Sequence, residues 1–393
     1  MKILITISYF QPKIGYAESK LAEQLSLQGH EVEVITSDHY FPFPDFESSV
    51  SAVLVSRKIA SGRNNESGYW ITRQPQIAEV FARSVVGGIE TIVRNFKPDV
   101  VISFGVTAPA TIQAAWFKKK YGYKLIAVDS HLPSEYERGN SFFKQVFYFT
   151  FRLIFSNFLK TAFDKIVALQ EDTKIIISQV YGIKKSVTVI PHGSDLSEFR
   201  YDSSSRKKIR SSFKFGTKDL VVIYTGKVVP AKGVHILFEA LNLLLRDKNK
   251  IYLIILGDGH NDYKQKCLNK LDSSFHKRVH WLGFQPPREL YKYYSAADVA
   301  IWPLQESLAM NDAAACRLPF IANDEIGARL RVSNNNALLY KKGISSDLAM
   351  KIAYLYSNPS KRKTMGKNGR HLIEEKLSWQ KLAHEFIKEY YEK

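Results

Sequence analysis

Cysteine and long apolar runs are scarce in this sequence. Its 393 residues include only two cysteines, Cys267 and Cys316, and no stretch of eighteen uncharged apolar residues. Two cysteines without metal-ligand or disulfide spacing are typical of a reducing compartment. The missing apolar stretch argues against a transmembrane helix. The N-terminal run "MKILITISYF" lacks a small-residue cleavage site, so it is predicted to be a buried strand rather than a signal peptide, and we expect a cytoplasmic protein.

Acidic residues are in the minority. The chain has 38 Asp and Glu against 56 Lys and Arg, which gives a net charge of +18. Such a balance favours an acidic partner: nucleic acid, an anionic membrane surface or a phosphorylated substrate, although a basic surface without a specific partner is also consistent with it. The basic residues are dispersed and accompany no nucleic-acid recognition motif, so no nucleic-acid partner is expected.

Strand and helix patterns alternate through both halves of the chain. In the first half, apolar runs such as 2–10, 31–36 and 98–104 are separated by helical patterns, and the alternation restarts at 220–226. Continuous apolar strands between helices predict parallel sheets covered on both faces. The polar stretch 202–208 has no periodicity and is predicted to be a linker. The expected fold class is therefore α/β, with two doubly wound domains.

The stretch "YTGKVVPAKGV" (224–234) joins a predicted strand to a predicted helix. It places Gly226, Lys227 and Lys232 at the carboxyl end of the strand, where ligands bind in such sheets. A helix start with two ammonium groups attracts a diphosphate, but an ordinary solvated turn has the same composition. The spacing matches neither a Walker loop nor a G-x-G-x-x-G fingerprint.

A second candidate segment is "WPLQESLAMNDAAACRLPFIA" (302–322). It leaves a predicted strand and passes two carboxylates, Glu306 and Asp312, before an alanine-rich helix. Carboxylate oxygens accept hydrogen bonds from sugar or ribose hydroxyls. Alternatively, Asp312 is simply the N-cap of the helix.

Together these segments resemble the GT4-like retaining glycosyltransferases of GT-B fold, over essentially the whole chain. "YTGKVVPAKGVHILFEAL" resembles the diphosphate motif, with Lys227 in the place of an arginine, and "ESLAMNDAAACRLP" resembles the Glu-x7-Glu region, in which Asp312 falls on the second glutamate. "PHGSDLSEF" (191–199) resembles the start of the interdomain crossing. "VDSHLPSE" places His131 where the family often has a histidine near the transferred sugar. Gly15 and Tyr16 replace the Gly-Gly pair of the acceptor-side loop.

The resemblance implies a set of site residues and domain limits. The implied catalytic residues are His131, Glu306, Lys227 and Lys232. The implied donor-binding residues are Gly226, Lys227, Lys232, Phe284, Glu306, Leu308, Ala309, Met310 and Asp312. The implied domains are an acceptor domain (1–196), a nucleotide-sugar domain (197–375) and a C-terminal helix that crosses back to the first domain (376–393). The two Rossmann-like domains would face each other across a cleft that closes on the donor.

Several positions depart from the family pattern. Five residues separate Glu306 from Asp312 instead of seven, and Arg317 replaces a glycine. Lysine in the place of arginine keeps the charge at 227 but loses bidentate phosphate geometry.

The implied function is transfer of a sugar, with retention, from a nucleotide-diphosphate donor to a glycan or lipid-linked acceptor in cell-surface polysaccharide or glycolipid biosynthesis. No metal or other cofactor is expected, because the chain has no Asp-x-Asp pair and the two lysines can stabilise the leaving diphosphate. The alternatives are a non-catalytic sugar-nucleotide or glycan-binding relative at the membrane and a GT-B-type sugar-nucleotide epimerase.

Residues 141–163 form the most aromatic segment of the chain. Eight phenylalanines and one tyrosine are interleaved with Lys144, Arg152 and Lys160. A helix of this composition is expected either to lie at an anionic bilayer, attaching the protein to the inner face of the cell membrane, or to be buried against the N-terminal sheet.

Overall fold

The chain forms two compact units. The computed structural model describes residues 1–43, 51–133, 136, 142–245 and 250–390. The N-terminal unit comprises Met1–His192 and the segment from Trp379 onward, and the C-terminal unit is Gly193–Ser378. The boundaries predicted from the sequence were 196/197 and 375/376. Ser141 and 391–393, which belong to segments discussed above, lie outside the described residues.

The N-terminal unit is built on a mainly parallel sheet. Its strands are β1 Lys2–Thr6, β2 Glu31–Ser37, β3 Gly62–Glu66, β4 Tyr69–Gln74, β5 Gln76–Val80, β6 Arg83–Val86, β7 Val100–Phe104, β8 Lys124–Asp129, β9 Lys165–Ala168 and β10 Thr188–Val189. Its helices before the C-terminal unit begins are α1 Ala17–Leu27, α2 Ser51–Leu54, α3 Ile89–Phe96, α4 Pro109–Tyr121, α5 Phe142–Ala162 and α6 Thr173–Ile175. Helix α6 continues as a π-helix over Ile176–Val180. The strand order among the described residues is β10-β9-β8-β7-β1-β2-β4-β3, and β5 pairs with β6 in a separate hairpin.

The C-terminal unit repeats this architecture with a fully parallel sheet. Its strands are β11 Leu220–Thr225, β12 Ile251–Leu256, β13 Val279–Trp281, β14 Val299–Trp302, β15 Phe320–Asn323 and β16 Ala337–Tyr340. Its helices are α7 Ser203–Ser212, α8 Val234–Leu245, α9 Asn261–Leu268, α10 Leu290–Ala296, α11 Ala309–Ala315, α12 Ser345–Ser357 and α13 Pro359–Leu372. The strand order is β13-β12-β11-β14-β15-β16. The last helix, α14 Trp379–Ile387, packs against α1 in the N-terminal unit.

The burial of the central strands explains the continuous apolar runs in the sequence. Every residue of β11 is buried, as is every residue of β14 and β15. Strands that are covered by helices on both faces cannot alternate polar and apolar side chains. The predicted α/β class with two Rossmann-like units is confirmed.

The predicted linker is wrong. Residues 203–212 form α7, whose N-cap Asp202 accepts hydrogen bonds from the backbone N–H groups of Ser204 and Ser205. Two arginines of this helix, Arg206 and Arg210, bind Asp298 at 2.7 and 3.0 Å. Because α7 is held by charged contacts rather than by an apolar face, its sequence carries no hydrophobic periodicity.

Several strands were not predicted. The edge strand β3 reads "GRNNE" and is mostly exposed, so it lacks the apolar signal of a parallel strand. The β5–β6 hairpin is likewise partly exposed. Both are antiparallel and depend on cross-strand pairing, which a strand-by-strand reading of the sequence does not reveal.

Candidate active site

The carboxyl ends of β11 and β12 are joined by close backbone packing. Gly226 and Gly257 follow the two strands with φ angles of 138° and 134°. A Cβ atom on Gly257 would lie 1.9 Å from the carbonyl oxygen of Gly226, and one on Gly259 would lie 1.9 Å from that of Val228. Only glycine fits at these two positions, so the loops present bare backbone at the edge of the sheet where ligands bind. The contribution of 257–259 was not foreseen from the sequence.

Two lysines follow this glycine edge. Lys227 is exposed, and Lys232 ends a 3₁₀ turn, Pro230–Lys232, just before α8. The Nζ atom of Lys232 donates a hydrogen bond to the backbone oxygen of Glu306 at 3.1 Å. Burial and the neighbouring charge of Lys227 lower the pKa of Lys232, and Glu306 partly opposes them. Among the described residues neither lysine has a carboxylate within ion-pair distance, so the loop carries a net positive charge.

The carboxylate of Glu306 is occupied by the loop that follows β15. It accepts hydrogen bonds from the backbone N–H groups of Gly327 and Ala328, and Arg331 donates to it at 2.9 Å. The Arg331 side chain is only 8% exposed. Its burial lowers the pKa of its guanidinium, and the charges of Glu306 and Asp312 oppose that shift. Arg331 therefore joins Lys232 and Glu306 in one cluster, although no motif in the sequence points to it.

Asp312 is held by the segment that opens the C-terminal unit. The Oγ atom of Ser194 donates a hydrogen bond to Asp312 Oδ1 at 2.7 Å. Asp312 lies inside the first turn of α11, whose N-cap is Leu308, so the alternative that Asp312 caps the helix is wrong. The "PHGSDLSEF" segment thus supplies a residue that orients the carboxylate implied to bind the donor.

The remaining implied donor residues differ in their exposure. Phe284 is 48% exposed and Leu308 is 40% exposed, whereas Ala309 is half-buried. Phe284 follows Gly283, whose carbonyl oxygen accepts a hydrogen bond from the N–H of Gly257 at 2.7 Å, so it lies at the same sheet edge. The Met310 side chain is buried in the core, at 1% exposure. Only its backbone remains to face a ligand.

In the N-terminal unit, His131 follows β8 and is paired with a buried aspartate. Its Nδ1 atom lies 2.7 Å from Asp129 Oδ1, and its backbone N–H donates to the same oxygen at 2.9 Å. The N–H of Val106 donates to Asp129 Oδ2 at 3.0 Å. Burial raises the pKa of Asp129, but the His131 charge and these hydrogen bonds outweigh it and leave the pKa below its ordinary value. An ionised carboxylate only accepts hydrogen bonds, so it fixes the imidazole proton on Nδ1.

Gly15 and Tyr16 lie after β1, which neighbours β7 in the same sheet and lies two strands from β8. Gly15 has a φ of 77° and ends a 3₁₀ turn, Pro12–Ile14, while Tyr16 is the N-cap residue of α1. Two residues further on, burial raises the pKa of the Glu18 carboxyl from 4.5 to about 7. A carboxyl in the first turn of this helix was not predicted as a site residue.

Two family models match the chain in sequence. The model described as "Glycosyltransferase Family 4" matches residues 19–198, and the model described as "Glycosyl transferases group 1" matches residues 205–372. The chain is a GT4-like glycosyltransferase. The two matches fall almost entirely on the N-terminal and the C-terminal unit respectively.

Curated relatives of this glycosyltransferase include a Corynebacterium glutamicum protein named "GDP-mannose-dependent monoacylated alpha-(1-6)-phosphatidylinositol monomannoside mannosyltransferase". It is 22% identical over 96% of this chain and 95% of the relative. A Staphylococcus aureus protein named "Capsular polysaccharide biosynthesis glycosyltransferase CapM" is 26% identical over 57% of this chain and 62% of the relative.

Solved structures support the GT-B fold of this glycosyltransferase. The Anabaena HepE protein, solved in complex with UDP, has a TM-score of 0.69 and 17% identity, and the match covers 99% of each chain. Sucrose-phosphate synthase from Thermosynechococcus elongatus has a TM-score of 0.69 and 16% identity, with 99% and 98% of the two chains covered.

Proposed function

We propose that this glycosyltransferase transfers a sugar with retention of configuration, and without a metal, from a nucleotide-diphosphate donor to a glycan or lipid-linked acceptor. The product would belong to cell-surface polysaccharide or glycolipid biosynthesis. The observation that carries the proposal is the cluster in which Lys232, Glu306 and Arg331 lie together beside the glycine edge of the C-terminal sheet.

The chemistry of this cluster suits a diphosphate next to a sugar. Lys227 and Lys232 supply positive charge, and bare backbone at Gly226 allows a phosphate to approach closely. Asp312 offers a carboxylate for the hydroxyls of a ribose. The names of relatives point the same way, since one includes GDP-mannose dependence and one solved neighbour contains UDP.

In the proposed step, the bond between the anomeric carbon and the diphosphate oxygen breaks, and the acceptor oxygen bonds to that carbon on the same face. The acceptor proton passes to the departing phosphate oxygen. Lys227 and Lys232 stabilise the charge that develops on the diphosphate, which is the role a metal has in other transferases. The proposed role of His131, whose imidazole proton is held on Nδ1 by Asp129, is a hydrogen bond through Nε2 to a hydroxyl of the donor sugar.

The aromatic helix α5 supports attachment to an anionic membrane. One of its faces is buried through Tyr148, Phe151 and Leu159. A second face, spaced as 142, 146, 149 and 153, is exposed: Phe142 72%, Val146 44%, Phe149 64% and Leu153 69%. The burial expected for this helix applies to one face, and the proposed contact with a bilayer would involve the other. Among the described residues, no helix has the length and apolarity needed to span a membrane.

The β5–β6 hairpin extends the exposed apolar face of α5. The hairpin exposes Ile77 at the start of β5 and Val80 and Phe81 at its tip, and the ring of Phe81 lies 5.4 Å from that of Phe147 in α5. Phe81 and Ala82 have φ angles of 48° and 55°, a left-handed backbone that side chains rarely adopt. Exposed aromatics with a net charge of +18 are typical of proteins that lie on anionic bilayers.

Flotation with vesicles tests the membrane proposal. Phe149→Glu/Leu153→Glu should abolish flotation with vesicles containing phosphatidylglycerol at low salt. The control Leu27→Glu/Met350→Glu changes two exposed apolar residues outside this face. Binding that both double variants reduce equally, or no binding by the unaltered chain, would overturn the proposal.

Turnover tests the transferase proposal. With UDP- and GDP-sugars, a lipid-linked acceptor mixture and EDTA, we expect acceptor-dependent release of nucleoside diphosphate and a product with the donor's anomeric configuration by NMR. Nucleotide binding without turnover would instead identify a non-catalytic relative. An isomerised sugar without acceptor would identify an epimerase.

A further inference from the structure

The C-terminal unit has a basic cavity at the edge of its sheet opposite the glycine loops. The cavity has a volume of about 370 Å³ and lies where β14 and β15 begin, beside Asp298 and Pro319. The candidate donor residues Gly226 and Glu306 instead follow the carboxyl ends of β11 and β14. The cavity is within the size range of small-molecule sites.

Its lining is strongly positive. Five basic residues line it together with one carboxylate: Arg206, Arg317, Arg362, Lys363, Lys367 and Asp298. The carboxylate of Asp298 is already shared, because Arg206 and Arg210 both bind it and the N–H of Val221 donates to it at 2.8 Å. Asp298 therefore does not neutralise the remaining cations.

Two of the five basic residues donate hydrogen bonds to backbone carbonyl oxygens at the ends of helices. Arg206 donates to the backbone oxygens of Ser295, Ala296 and Ala297 at the end of α10. Arg362 donates to two carbonyl oxygens at the end of α12. Burial lowers the pKa of the Arg362 guanidinium, and the charges of Arg206 and Arg210 lower it further against the opposing effect of Asp298. The positive charges in this region are thus already crowded.

The other three basic residues make no such contacts among the described residues. Arg317, Lys363 and Lys367 are exposed, and within the described part of the chain none of them forms an ion pair or a side-chain hydrogen bond. Lys363 and Lys367 are four apart on α13, where like charges destabilise a helix. Arg317 has a φ of 60°, a backbone conformation that glycine adopts without strain.

Backbone packing holds these three cations together. A Cβ atom on Gly366 would lie 2.0 Å from the carbonyl oxygen of Arg317, so the backbone at 317 is pressed against α13 between Lys363 and Lys367. An arginine in a strained conformation is thereby fixed next to two mutually repelling lysines. A bound anion would offset the repulsion between the two lysines.

We propose that this cavity is a second anion site, which binds the phosphate group of a phosphorylated small molecule or of a lipid headgroup. The site is independent of donor binding, since its residues lie at the opposite sheet edge from Lys232.

Calorimetric titration with pyrophosphate tests the site in a Lys232→Ala background, where the donor loop is weakened. Adding Lys363→Glu/Lys367→Glu should lower the affinity about tenfold or more. The matched control, Lys207→Glu/Lys208→Glu, reverses two exposed charges of α7 that do not line the cavity and should change the affinity far less. Melting temperatures check that all variants fold.

A second arm separates the two phosphate sources by measuring flotation with vesicles that contain phosphatidylinositol phosphate. Loss of pyrophosphate binding in Lys363→Glu/Lys367→Glu with unchanged flotation supports a soluble ligand. Loss of flotation beyond the control, whether or not pyrophosphate binding also falls, supports a lipid headgroup. If both double variants behave alike in both arms, or if neither probe binds, the proposal is overturned. The proposed transferase activity is measured separately, so failure of one proposal leaves the other standing.

Discussion

The Nζ atom of Lys232 lies 3.1 Å from the backbone oxygen of Glu306, while the carboxylate of the same Glu306 is bound by Arg331 at 2.9 Å. One residue therefore links two cations from different loops. Because both its backbone oxygen and its carboxylate are engaged, Glu306 ties the loop of Lys232 to the loop of Arg331.

The affinity for a nucleoside diphosphate should depend on pH through Lys232. Burial and Lys227 lower the pKa of Lys232, so the ammonium loses its proton at a lower pH than an ordinary lysine. Only the charged form attracts phosphate, so the affinity should fall as pH rises through that lowered pKa. Calorimetry between about pH 7.5 and 10 measures the fall.

Lys232→Arg provides the control for this profile. A guanidinium stays charged in this range, so the contribution of position 232 to the pH dependence should disappear. Identical profiles for the two proteins would argue against Lys232 as the titrating group.

Glu306 and Arg331 should be energetically coupled. Removing either partner leaves a partly buried charge unpaired, so Glu306→Gln and Arg331→Met should each lower the free energy of unfolding by about 1–3 kcal/mol. The double variant should lose less than the sum, with a coupling of about 1–2 kcal/mol. Urea unfolding of the four proteins in the double-mutant cycle measures the coupling. Strict additivity of the changes in unfolding free energy would show that the two side chains are not energetically coupled.

Asp129→Asn should impair turnover more than donor binding. The amide no longer fixes the imidazole proton of His131 on Nδ1, so we expect kcat to fall about 10- to 100-fold with little change in the KM for the donor. Asp99→Asn is the control, because Asp99 accepts a backbone N–H of Lys2 at the opposite end of the sheet. A loss of activity that only follows the loss of folded protein would exclude an orienting role.

Glu18 should make stability depend on pH. Burial raises the pKa of its carboxyl from 4.5 in an exposed environment to about 7 in the fold, so the folded state favours the protonated form. This contribution to stability is fully present below about pH 4.5 and is lost as pH rises through 7. Glu18→Gln should therefore be more stable than the unaltered chain at pH 8, by up to about 3 kcal/mol, with the difference vanishing near pH 4.5.

Urea unfolding at several pH values measures this difference. Glu171→Gln, which alters a side chain that is 69% exposed, is the control. A Glu18→Gln curve parallel to that of the unaltered chain would contradict the buried-carboxyl interpretation.

The sequence predicted the parts of the site that depend on a strand ending in a loop. Gly226 and Lys227 directly follow an apolar run and Lys232 lies further along the same loop, so their place after the carboxyl end of β11 could be predicted from the pattern alone. The fold class followed from the same runs, because buried parallel strands leave a continuous apolar signal.

Contacts between distant segments could not be predicted in this way. Arg331 lies 25 residues after Glu306 in a loop without a motif, and only the parallel packing of β14 and β15 brings them together. The sequence of α7 resembles a linker because arginine–carbonyl and arginine–aspartate contacts, rather than an apolar face, hold the helix. Likewise, the composition of α5 did not reveal which of its aromatic faces is buried.

The charge of Lys232 gives the most direct test of the donor assignment. Calorimetric titration of UDP, GDP and ADP, and of the corresponding nucleosides, compares the unaltered chain with Lys232→Ala. We expect one nucleoside diphosphate to bind and the alanine variant to bind it at least about tenfold more weakly, with the nucleoside affected far less. Equal losses for diphosphate and nucleoside, or no nucleotide binding at all, would contradict a diphosphate site in this loop.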